Sequence, residues 1–187
     1  MDAAAGAHHE IAVPASIFAM LRQELAKEAG VLPAIHALQQ SGYVAGMAAA
    51  SAFRTSQDED VRALPEEEFW ARLGSFFTRR GWGTLRHVDR HQAVGLLVSS
   101  DWVEGDSARV EGDGPETEEG ASCSFSTGFL SGLLTELAGG PVAVLEVSCR
   151  ARGEERCSFA FGAAAAIHHI YGQLLEGAEL DGALAAL

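Results

Sequence analysis

From Pro14 onward, Ile17, Phe18, Leu21 and Leu25 recur at three- and four-residue steps, while Gln23, Glu24, Lys27 and Glu28 take the other side. This spacing predicts an amphipathic helix stopped near Gly30. A second helical stretch starts around Pro33 with Ile35 and Leu38 and runs through Gly42, Gly46, Met47 and Ala48 to Ala50. Its Gly/Ala face either permits a close helix approach or reflects low side-chain bulk and nothing more. Ser56 to Pro65 is polar and acidic, a loop. Pro65 followed by Glu66, Glu67 and Glu68 suits the start of a helix and the positive end of its dipole. Phe69, Trp70, Leu73, Phe76 and Phe77 then make one broad apolar face before Arg79 and Arg80. Core is the default reading of that face, and the wall of a ligand pocket is the alternative.

Gly81-Trp82-Gly83 breaks the helical pattern. Thr84 to Asp101 reads as two strands, the first polar with Leu85 and Val88, the second (Ala93 to Val98) almost wholly apolar, joined by a hairpin around Asp89 to His91. Glu104 to Glu119 holds seven acidic residues among Gly105, Gly112, Gly114 and Pro115, and reads as a solvated loop. From Ser122, the positions Phe125, Phe129, Leu133, Leu134 and Leu137 mark a helix ending at Gly139-Gly140. Pro141 opens a strand from Val142 to Cys149, Ala151 to Glu155 turns, and Arg156 to Phe161 returns. Ala163 to Leu175 is the last helix, which Leu180 to Leu187 extends or frays from. This order predicts an α+β fold with an antiparallel sheet packed against helices, residues 14–187 forming one domain after a disordered stretch, 1–13.

The length of 187 residues suits one domain, and 48% hydrophobic with 21% charged residues suits a packed core. Thirteen Lys and Arg against 26 Asp and Glu leave a formal charge of −13, which repels phosphate backbones and anionic membrane surfaces. Direct nucleic-acid binding is not expected. Met1 to His9 lack a secretory-signal pattern and no apolar run of about 18 residues occurs, so a soluble, cytoplasmic protein is expected. His8 and His9 fall in the disordered stretch, and His87 and His91 on a solvated hairpin. With no GxGxxG loop for a hydride cofactor and no nucleophile–base–orienter arrangement in local sequence, catalysis is not expected.

Cysteine use changes the picture. Cys123 falls at the start of a helix, Cys149 at the end of one strand and Cys157 at the start of its partner. Three thiols leave one over in any disulfide scheme, which points to reactivity or metal. A hairpin brings Cys149 and Cys157 together across Arg150 to Arg156, and a helix N-terminus favours a thiolate at Cys123. A tetrahedral zinc would need a fourth ligand. Glu146 is one candidate, a lone carboxylate in the run Val142 to Val147 that is costly to bury unless metal or a salt bridge satisfies it. Residues three apart on a flat strand face opposite sides, so joining Glu146 to Cys149 requires a bulge near Ser148. His168 or His169 would instead complete a Cys3His set, and unligated buried thiols or a redox pair are the metal-free alternatives.

Cys123-Ser124-Phe125, Gly128-Phe129-Leu130-Ser131-Gly132, Val142 to Glu146, Cys149-Arg150-Ala151-Arg152-Gly153 and Cys157-Ser158-Phe159 together resemble the 4-vinyl reductase domain family, over roughly residues 95–162. That family includes ligand-sensing domains of aromatic-responsive bacterial activators and shares its fold with trafficking (TRAPP) subunits. The resemblance implies a zinc held by Cys123, Glu146, Cys149 and Cys157, tying the C-terminal helix to its hairpin, and a buried pocket with Trp102 as its tryptophan. Phe69, Leu73 and Phe77 then become its apolar wall. The His with which phenol sensors of the family hold the hydroxyl has no counterpart between His36 and His87, so a ligand more apolar than phenol is implied. The expected function is a non-catalytic, zinc-containing module that binds a small hydrophobic or aromatic molecule. Its expected output is through a homodimer of the N-terminal helices, whose surface is Ile17, Leu21, Leu25, Gly42, Gly46 and Ala49, or through a separate signalling protein. The alternatives are a ligand-free scaffold of the trafficking type and an accessory role in vinyl reduction of bacteriochlorophyll precursors.

Overall fold

A computed structural model, describing residues 10–107 and 123–187, places the apolar run after Ala93 in a strand, β2 (Val94–Ser99), covered on both faces. Alternation sorts its side chains: Leu97 joins one hydrophobic core, and Val94, Leu96 and Val98 join the other. β1 (Arg86–His91) flanks it on one side and β4 (Cys157–Gly162) on the other, with β3 (Ala143–Ser148) beyond, giving an antiparallel sheet of order β1-β2-β4-β3. The fold is α+β.

The first core lies between the sheet and α2 (Val31–Thr55), α3 (Glu66–Arg79) and α5 (Ser124–Ala138). The second lies under α6 (Ala164–Leu175) and α7 (Leu180–Ala185), where Ile167, Ile170, Ala183 and Leu184 meet the opposite face. Leu180–Ala185 is thus a separate packed helix rather than a continuation of α6. α1 (Ile17–Ala29) buries only Ala19 fully.

Some boundaries differ from the sequence expectation. α2 begins before Pro33, whose missing N–H falls in the first turn where no intrahelical partner is required. β1 continues through His91, and the chain turns at Gln92-Ala93 instead of Asp89 to His91. Polar residues do not end this strand because it is the sheet edge, where charge facing solvent is favourable. His87 is not solvated: its ring stacks on Trp70 at 4.4 Å and also meets Phe161.

The small-residue face of α2 is used inside the chain. A Cβ added to Gly42 or Gly46 would overlap the Phe125 or Phe129 carbonyl, and one added to Gly128 or Gly132 of α5 would overlap the Gln39 or Tyr43 carbonyl. Two glycines four residues apart on each helix let the backbones touch. Gly42 and Gly46 are therefore not part of a dimer surface as expected, because α5 covers them. Among the described residues, the apolar side chains left outside on these helices include Met20, Leu21, Val44 and Met47.

Candidate metal centre and aromatic cluster

Cys123 is the N-cap of α5, Cys149 follows β3 and Cys157 opens β4, and the three side chains converge in the interior. Their sulfurs lie 3.5 Å (Cys123–Cys149), 3.9 Å (Cys123–Cys157) and 3.9 Å (Cys149–Cys157) apart. A tetrahedral site with zinc–sulfur bonds of about 2.3 Å would space its sulfurs about 3.8 Å apart. The bulge needed near Ser148 is present: the β3–β4 register shifts between Glu146 and Ser148. It turns Glu146 to the same side as Cys149, where its carboxylate meets the Cys149 thiol and accepts the Cys123 N–H at 3.2 Å. His168 and His169 are exposed on α6, which packs on the opposite face of the sheet, and stand apart from the cluster.

The backbone gives way to the sulfurs. A Cβ at Gly105 would lie 2.5 Å from the Cys157 sulfur, so the chain passes too close to the cluster for any side chain. Gly105 belongs to a helical turn, α4 (Val103–Ser107), and this corrects the expectation of a solvated loop from Glu104. The loop's residues 108–119 lie outside the described residues, as do 1–9 of the expected disordered stretch. Glu104 is only 3% exposed, and its carboxylate accepts the backbone N–H groups of Phe125 (3.0 Å) and Ser126 (2.7 Å). It does for α5 what an N-cap side chain normally does, while Cys123 at that position commits its sulfur elsewhere. The sequence reading missed Glu104 because acidic composition around it pointed to solvent. The cue available was its place immediately after Trp102.

Electrostatics make this a site short of positive charge. Burial pushes Glu104 up to about 7 and, with the nearby Cys149, Glu146 up to about 8, while Arg152, 4.0 Å away, pulls Glu146 back. The Cys123 and Cys149 thiols pull Cys157 down to about 4 by donating toward its sulfur, and the same contacts push Cys123 up. The cluster supports one thiolate unaided, but two more negative charges within 3.9 Å need a cation. The donor set of three sulfurs and a carboxylate fits a four-coordinate zinc.

The aromatic cluster adjoins the metal-ligating residues. Trp102, fully buried, donates its indole N–H to Ser126 Oγ at 2.8 Å and meets Phe77 (5.4 Å), Trp82 (5.5 Å) and Phe159 (5.9 Å). Leu73 and Phe77 are buried in the same core. Trp82, which the sequence reading passed over as a break, stacks on Phe129 at 4.9 Å and touches Phe18 and Phe125. Phe69 lies at the edge, lining an apolar crevice of about 270 Å³ with Val61, Trp70, Leu134, Leu137 and Phe161. Residues 102–106 run from one feature to the other: Trp102 in the aromatics, Glu104 on the α5 N-terminus, Gly105 on the sulfurs and Asp106 paired with Arg150 of the turn between β3 and β4.

With this geometry in place, the chain takes its position among known proteins. Residues 108–163 match the family model of the 4-vinyl reductase domain, which assigns that part of the chain to this family and coincides with the resemblance read from the sequence. The fold is that of the phenol-responsive sensory domain of the transcription activator PoxR, solved with phenol: TM-score 0.65, 17% identity, covering 82% of this chain and 76% of that one. It is also similar to a trafficking protein particle complex subunit 3 from Naegleria fowleri covalently bound to palmitic acid: TM-score 0.62, 14% identity, 79% and 91% covered. A vinyl-4-reductase family protein from Methanocaldococcus jannaschii follows at TM-score 0.51, 15% identity, 82% and 83% covered. No curated protein sequence matches. No helix among the described residues is long and apolar enough to cross a membrane.

Proposed function

We propose that the protein is a non-catalytic sensing module in which a structural zinc on Cys123, Glu146, Cys149 and Cys157 fixes the wall of a pocket for a small, apolar, aromatic molecule. The observation that carries this reading is the run Trp102 to Asp106, which bonds in turn to the aromatic cluster, the α5 N-terminus, the sulfurs and the metal-side turn. Phe69, Leu73, Phe77 and Trp102 line the ligand's path between α3 and the sheet, with the Phe69 crevice as its way in. The PoxR sensory domain supports the reading because it holds phenol on the same fold. Here Leu73, Phe76 and Phe77 offer the ligand no hydrogen bond, which favours an apolar ring over a phenol. The output passes to a second copy or a separate signalling protein through α1 and the outer face of α2, where Met20, Leu21, Val44 and Met47 are exposed.

A scaffold reading has one observation of its own: the rings of Trp102, Phe77, Trp82 and Phe159 already satisfy one another by contact. Thermal-shift and tryptophan-fluorescence screening of the whole chain against small aromatic hydrocarbons separates the two. The sensing reading predicts a raised melting temperature by mass action and quenching that Trp102→Phe diminishes. The absence of both effects across the library would favour the scaffold.

A further inference from the structure

On the other side of the aromatic cluster the chain forms a second concavity. Ala45, Ala48, Ala49 and Ala52 put methyl groups on one face of α2, and Phe76, Trp82 and Phe129 rise opposite them, enclosing about 620 Å³. Its walls are apolar and its rim is cationic, with Arg79 and Arg80 at the end of α3. The Arg80 guanidinium lies 3.7 Å from the centre of the Phe76 ring and donates Nε–H to the Glu10 carboxylate at 2.9 Å. Ile11 and Ala12 follow along the same groove, yet Ile11 remains 83% exposed, so the segment covers the groove without filling it. What holds it is an ion pair whose Glu10 side is 54% exposed, a weak attachment.

Glu10 to Ala12 thus rest as a ligand would, with a carboxylate on Arg80 and apolar groups over an alanine floor. We propose that this groove binds a medium-chain alkyl carboxylate, whose head group displaces Glu10 from Arg80 and whose tail lies along Ala45, Ala49 and Ala52 against Phe76 and Trp82. The floor from Ala45 to Ala52 is about 10 Å long, room for about eight carbons. The flat aromatic wall and methyl floor exclude branched or bulky tails, and Arg80, stacked on Phe76, is pre-positioned for the carboxylate. This goes beyond the sensing reading, since neither Trp102 nor any cysteine lines the groove.

Titration calorimetry on the whole chain with sodium octanoate, and with 1-octanol as the uncharged control, tests it. Octanoate binds at one saturable site; Arg80→Gln weakens it about tenfold or more and leaves octanol unchanged, because a charge-assisted hydrogen bond is lost. Glu10→Gln strengthens octanoate binding between about 1.5- and 5-fold by removing the competitor. Ala48→Met, at an exposed lining position where folding is not at stake, weakens both compounds. Equal octanoate affinity in the wild type and Arg80→Gln, or no saturable binding to Glu10→Gln, overturns the proposal. Binding that survives Arg80→Gln but falls with Trp102→Phe also overturns it, while leaving the sensing reading in place.

Discussion

Glu104 is the residue whose surroundings most change its meaning. An acid in an acidic stretch is usually solvated, yet here two backbone donors of α5 converge on its carboxylate in the interior. Glu104→Ala strands those donors at a helix start and is expected to destabilise the protein by about 2–3 kcal/mol, with Glu104→Gln milder, as urea midpoints would show. His87 carries a pH signature. Burial pushes its pKa below the ordinary histidine value, against the opposing pull of Glu66 and Asp89. The unfolded chain therefore binds the proton more readily, and His87 contributes stability at neutral pH that is lost as the pH falls through the histidine range. Melting temperatures at pH 7 and pH 5 should fall less in His87→Gln than in the wild type, and parallel falls would refute the assignment.

At the scale of elements, the glycines of α2 and α5 separate two roles that look alike in sequence. Gly46→Ala inserts a methyl into a backbone carbonyl of α5 and is expected to cost about 3 kcal/mol or more. Gly172→Ala in α6 meets nothing within 4 Å and is expected to stabilise by about 0.5–1 kcal/mol through helix propensity. Chemical denaturation of the pair decides it. Element types were legible wherever apolar periodicity was strong, as in α3 and α5, and the alternation of β3 and β4 with a bulge was readable from the Glu146 and Cys149 spacing. α4 was not legible, because five residues carry no periodicity and their burial comes from distant partners. The partner of the α2 glycines was equally hidden, since a small-residue face fits another chain as well as another helix.

At the scale of the molecule, the sequence disclosed the cysteine set but not which face of the sheet it occupies, and only the β1-β2-β4-β3 order puts α6 with His168 and His169 on the far side. The apolar residues left exposed on α1 and α2 predict self-association: sedimentation velocity should show a dimer that Leu21→Glu dissociates, and a monomer at micromolar concentration would contradict it. The central claim is that three buried thiols and a buried carboxylate are held together by zinc. Because such a metal contributes to folding itself, stability and metal content should change together. Native mass spectrometry of the purified chain measures this most directly. The account predicts one zinc per chain, lost on Cys149→Ser together with a lowered melting temperature. A metal-free chain that folds with undiminished stability would contradict it.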